Sequence, residues 1–188
     1  MALMRTITDV TVVDLVWEGP LTLAEVEQNR LGATDYGIYQ IYGTHNSGAD
    51  QLLYIGQAAA NKFGQRVPWI HEWADWEPKS AEIYLGRLGS VQPISATLPA
   101  QEEWGKWISR AEAMLIYFTS PPYNSSGIRS LPELPDAPIV VLNFARRHRL
   151  PAVVSNLYEK SPVGDSSQEW RVFIEPDEIL DNPVSINI

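Results

Sequence analysis

The hydrophobic and polar positions fall into two periodicities, and turn-forming clusters separate them. Residues 36–43, Tyr-Gly-Ile-Tyr-Gln-Ile-Tyr-Gly, are rich in Ile and Tyr and predict a strand. Residues 44–50 are dense in Asn, Ser and Gly and predict a turn, and residues 52–56 return as a second strand. A third strand is expected over 82–88. Helical spacing is clearest over 99–119, where Trp104, Trp107, Ile108, Ala111, Leu115 and Phe118 line one face. Shorter helices are expected over 21–28, with Thr22 as N-cap and Glu25 three residues on as a capping box, and over 58–66. A further helix over 68–76 begins at Pro68, a residue that suits a first helical turn, and its Trp69, Trp73 and Trp76 read as core. Residues before Gly19-Pro20 read as a short apolar stretch. Residues 139–142 and 170–174 read as strands, and 175–188 as a polar, acidic tail.

Composition narrows the class. The 188 residues suffice for one domain with a proper core. The chain has no cysteine, which excludes disulfides and thiolate metal sites. Asp9 and Asp14 interrupt the apolar N-terminus, so it reads poorly as a signal peptide, and no run is long enough to span a membrane. A soluble, cytoplasmic protein without membrane partners is the expectation.

Charge argues against a polyanionic ligand at first sight, because the formal net charge is −9. Its distribution changes the picture. Residues 1–60 carry two basic and seven acidic side chains, residues 61–130 seven of each, and residues 131–188 five basic and nine acidic. The middle is the least acidic part, and Arg146, Arg147 and Arg149 add a local basic cluster.

Candidate chemistry lies in that middle. Side chains two apart on a strand share a face, so Gly37 lies beside Tyr39 and Gly56 beside Tyr54. Each phenol then has a neighbour without a side chain, which predicts an open floor. Arg66, at the end of the 58–66 helix, is either a surface cation paired with Glu72 or Asp75, or a guanidinium fork for a phosphate. Glu112 lies about 100° from the centre of the long helix's apolar stripe. It therefore borders the buried face and calls for a cation, Arg66 or a metal ion. Arg110 and Lys106 are not placed three or four residues from it.

The order Gly37-Ile38-Tyr39, Tyr54-Ile55-Gly56, Arg66, Glu112, Asn124 resembles the signature of the GIY-YIG nuclease family, over about half the chain. The resemblance implies an α+β fold: a small antiparallel three-stranded sheet flanked by helices, with N- and C-terminal elaborations. It implies a single domain over 1–188, with a catalytic core at 35–126, an N-terminal extension at 1–34, and a C-terminal extension at 127–188 bearing the basic cluster and acidic tail. The hairpin loop is longer than the family's, and Pro68 follows Arg66 closely. The implied activity is metal-dependent hydrolysis of DNA phosphodiester bonds, most readily of double-stranded DNA. Tyr39, Tyr54, Arg66, Glu112 and Asn124 would be catalytic, and Glu112 would hold Mg²⁺ or Mn²⁺. Tyr39 or His71 would be the general base. Gly37, Gly56, Arg146, Arg147 and Arg149 would face substrate. The enzyme could be restriction-type, a homodimer when it cuts both strands, or a partner-guided repair, recombination or mobile-element nuclease. A catalytically inactive binding subunit is the remaining alternative.

Overall fold

Strand β1, Thr11–Leu21, organises the molecule. Its even and odd positions differ: Val13, Leu15 and Trp17 are buried while Val12, Val16 and Glu18 are exposed. This is the alternation of a strand with one covered face. The computed structural model describes residues 11–28, 35–46, 48–67, 81–89, 101–128 and 139–156. After β1 come α1 (Leu23–Gln28), β2 (Gly37–His45), β3 (Gly48–Ala58), the one-turn α2 (Phe63–Arg66) and β4 (Glu82–Leu88). The long helix α3 (Gln101–Thr119), β5 (Ile139–Ala145) and β6 (Val153–Ser155) complete the described elements.

The strands form a single sheet in the order β3-β2-β4-β1-β5-β6. All neighbours are antiparallel except β1 and β5, which run parallel with Val13 opposite Val141. This corrects the expected fold: the small three-stranded sheet flanked by helices is instead a six-stranded, mixed, curled half-barrel with few helices. The physical reason is β1. It pairs with β4 on one side and β5 on the other, so the sheet runs on past the three strands of the motif.

Two cores lie on the two faces. On one, α3 lays Ile108, Ala111, Met114 and Leu115 over Val13, Leu15, Trp17, Ile38, Ile55, Val141 and Val154. Each large apolar side chain buried there contributes about 1.5–3 kcal/mol. Two polar side chains in this core pair with each other: the Trp17 indole N–H donates to Asn143 Oδ1 at 2.9 Å, and Asn143 Nδ2 donates to the Pro151 carbonyl at 2.8 Å. On the other face, Val26 of α1 with Phe63 and Val67 around α2 cover Tyr39, Ile41, Ile83 and Leu85. Strand β2 is covered on both faces and is buried without alternation from Gly37 to Gly43.

The capping box of α1 forms, with Glu25 Oε2 accepting from the Thr22 N–H at 2.7 Å and Thr22 Oγ1 accepting from the Glu25 N–H at 3.3 Å. The helix expected over 58–66 is shortened because β3 continues to Ala58, which pairs with Gly37. No helix among the described residues is long and apolar enough to cross a membrane. The expected 68–76 helix, the 170–174 strand and the acidic tail lie outside the described residues.

Candidate active site

The hairpin of β2 and β3 sets Tyr39 opposite Gly56 and Ile41 opposite Tyr54. Tyr39 and Tyr54 therefore stand diagonally on one face, with ring centroids 6.0 Å apart. Their hydroxyls hydrogen-bond to each other. The open floor expected beside each phenol is not there at Gly56. A Cβ at that position would lie 2.5 Å from Tyr39 Cζ and 2.7 Å from Tyr54 Cε1, so the rings fill the space that glycine leaves. At Gly37 a Cβ would meet the Gly86 carbonyl oxygen on β4, and glycine there permits the close approach of the two strands.

Arg66 comes from α2. The Phe63 N–H donates to the Asp35 carbonyl at 3.0 Å, Gln65 Oε1 accepts from the Lys62 N–H at 3.3 Å, and Phe63 and Val67 are buried. These contacts fix one helical turn and deliver the half-buried arginine to the phenols, where its charge favours their ionised forms.

Glu112 arrives from the other side of the sheet. Because β3 is the edge strand, a residue on α3 can reach round its rim. The Glu112 carboxylate accepts a hydrogen bond from the Gln57 backbone N–H. Burial pushes its pKa up to about 7, against the Arg66 charge and the Gln57 N–H, which both pull it down. Its charge in turn acts on both phenols. Tyr39 is raised far above the usual phenol range, first by burial and then by Tyr54, and Tyr54 is raised by burial and by Glu112. Neither phenol is poised to lose its proton in this state.

The same rim is closed by the turn after α3. Asn124 Oδ1 accepts from the Ile55 N–H at 3.0 Å, Asn124 Nδ2 donates to the Ile55 carbonyl at 2.8 Å, and the Tyr123 N–H donates to the Leu53 carbonyl at 3.1 Å. Thus Tyr39, Tyr54, Arg66 and Glu112 converge, while Asn124 positions the strand that carries Tyr54. The basic cluster lies elsewhere: His148 packs on Tyr42 and Tyr84, whose rings belong to the core under α3. Arg146 Nη1 donates to the Gly19 carbonyl at 3.2 Å and Arg149 pairs with Asp50 at 2.7 Å. His71 lies outside the described residues.

Sequence reasoning missed three contributors. Gln57, directly after the second tripeptide, holds Glu112 through its N–H, and its Oε1 accepts from Ser109 Oγ at 2.8 Å. Ser109 precedes Glu112 by three residues on α3, and that helical spacing was the available signal. Asp35 and Arg87 form a buried ion pair at 3.0 Å, extended to Glu18 at 2.8 Å. Arg87 also stands 5.4 Å over the Phe63 ring, so the pair supports the start of α2. Nothing local in the sequence connects these positions.

Glu112 supplies one half-buried carboxylate here, a ligand that could hold a divalent ion retaining most of its own waters. No family model matches the chain, and neither the curated proteins nor the solved structures contain a significant match.

Proposed function

We propose that the chain is a metal-dependent endonuclease that hydrolyses DNA phosphodiester bonds at the rim of β3. The observation that carries this reading is the convergence of Tyr39, Tyr54, Arg66 and Glu112 from four separate elements onto one partly desolvated spot. Arg66 grips a non-bridging phosphate oxygen through its guanidinium fork and opposes the charge that grows in the transition state. Tyr54, hydrogen-bonded to Tyr39 and the less buried of the two, orients a phosphate oxygen or the attacking water. Tyr39 stays neutral behind it, and its raised pKa argues against the general-base role. Glu112 would hold Mg²⁺ or Mn²⁺, which would supply positive charge against the leaving oxygen. Asn124 and Gln57 hold the rim in register.

The test is cleavage of supercoiled plasmid at low salt with Mg²⁺ or Mn²⁺, wild type beside Glu112→Ala. Cutting by the wild type and not by the variant supports the reading; equal cutting by both removes the metal assignment. Defined fragments indicate a restriction-type enzyme. Random nicking indicates a partner-guided one, which the net charge of −9 favours by weakening unaided DNA binding.

A further inference from the structure

A second cluster of metal-ligating side chains stands away from the proposed active site. Asp50 lies at the start of β3, Glu82 at the start of β4, and His148 in the turn between β5 and β6. One ligand atom from each lies within 4.8 Å of the others. From this convergence we infer that Asp50, Glu82 and His148 form a binding site for a borderline divalent cation, Zn²⁺ in particular, that ties the β5–β6 turn to the hairpin and to β4.

The imidazole is held in place before any ion arrives. Its ring stacks on Tyr84 at 5.0 Å with an interplanar angle of 4°, and meets Tyr42 edge-on at 4.4 Å. Its Nε2 faces Asp50 Oδ1 at 2.7 Å. Tyr84 also donates its hydroxyl to Glu82 Oε2 at 3.3 Å, so one tyrosine orients two of the three ligands. Arg149 holds the other Asp50 oxygen at 2.7 Å, which leaves Oδ1 as the single coordinating atom. Outer partners of this kind fix ligand orientation in metal sites.

Charge and geometry agree. Two carboxylates face one imidazole, and Arg149 answers only one of them directly. Tetrahedral Zn²⁺ with N and O ligands at about 2.0–2.2 Å places those ligands roughly 3.4 Å apart. The three atoms are already within reach of that arrangement after small side-chain movements, with water at the fourth position.

The test measures Zn²⁺ binding by calorimetry on chelator-treated protein in a Glu112→Ala background, which removes the other candidate ligand. One Zn²⁺ per chain is expected, with affinity falling at least about tenfold on adding Glu82→Gln or His148→Ala. Zn²⁺ should also raise the melting temperature by about 4 °C or more, and this shift should vanish in both variants. His148→Ala also removes the hydrogen bond to Asp50, so Glu82→Gln, which spares the His148–Asp50 contact, guards against simple unfolding. Either no Zn²⁺ bound in the Glu112→Ala background, or equal binding after Glu82→Gln and His148→Ala, would overturn the site. Neither result bears on DNA cleavage.

Discussion

The side-chain amide of Asn124 takes both backbone polar groups of Ile55, accepting its N–H at 3.0 Å and donating to its carbonyl at 2.8 Å. A single side chain thus supplies what a further strand would supply to the outer edge of β3. It also ties the end of α3, and therefore Glu112, to the strand that carries Tyr54. Asn124→Ala leaves a buried N–H and C=O unpaired, and the expected loss is about 2–4 kcal/mol of stability. Asn124→Asp keeps the acceptor but sets a carboxylate against the Ile55 carbonyl, so it should not rescue. Urea denaturation of the three proteins reads this directly. A variant with wild-type stability would mean that the edge is closed by other groups.

Gly56 carries a steric prediction. The end of the Tyr39 ring and the edge of the Tyr54 ring occupy the place where a Cβ would stand. Gly56→Ala should cost about 1–3 kcal/mol through overpacking and displace both phenols. The readout is a fall in kcat larger than any change in melting temperature explains at the assay temperature. Unchanged turnover would mean that the phenols tolerate displacement, and so do not position substrate.

How much of this was legible in the sequence depends on distance along the chain. The hairpin, the α3 stripe and the placement of Glu112 beside it follow from spacing within single elements. Strand β1 was missed because Val12 and Val16, on its exposed face, hide the alternation of Val13, Leu15 and Trp17. Its parallel pairing with β5 joins residues more than a hundred positions apart, and no local pattern reports that. The same holds for Asp35 with Arg87 and for Asp50 with His148, which the fold alone brings together. The phenols were legible as residues but not in their state: a general-base role for Tyr39 calls for a lowered phenol pKa, and burial raises it instead.

Glu112 couples stability to pH with a definite sign. Its folded pKa is raised from 4.5 to about 7, so between these values the folded carboxyl keeps a proton that the unfolded chain has released. Its stabilising contribution is therefore complete below about 4.5 and is lost as pH rises through 7. Glu112→Gln preserves the neutral shape and removes this slope. At pH 8, without divalent ions, the variant should be more stable than wild type by about 2 kcal/mol, the partial solvation of the side chain holding the value below the full shift. Thermal melts from pH 5 to 8 measure it, and parallel curves for the two proteins would show that Glu112 does not titrate in that window. Arg66 pulls the same pKa down. Arg66→Ala should therefore move the midpoint of Mg²⁺ binding to higher pH, besides weakening phosphate contact.

The two tyrosines should separate by function. Tyr39 is fully buried and hydrogen-bonds Tyr54, which is only partly buried and stands nearer to where a substrate would lie. Tyr54→Phe removes the group that meets the phosphate or the water, while Tyr39→Phe removes the group that orients it. Single-turnover cleavage at saturating Mg²⁺ should thus fall further for Tyr54→Phe, by about 10²-fold or more. The double variant should be little worse than Tyr54→Phe alone, since Tyr39 acts through its partner and the effects are not additive. Both single variants should keep the rising limb of the rate near pH 7, where Glu112 ionises. Loss of that limb in Tyr39→Phe alone would identify Tyr39 as the titrating base and overturn its supporting role behind Tyr54.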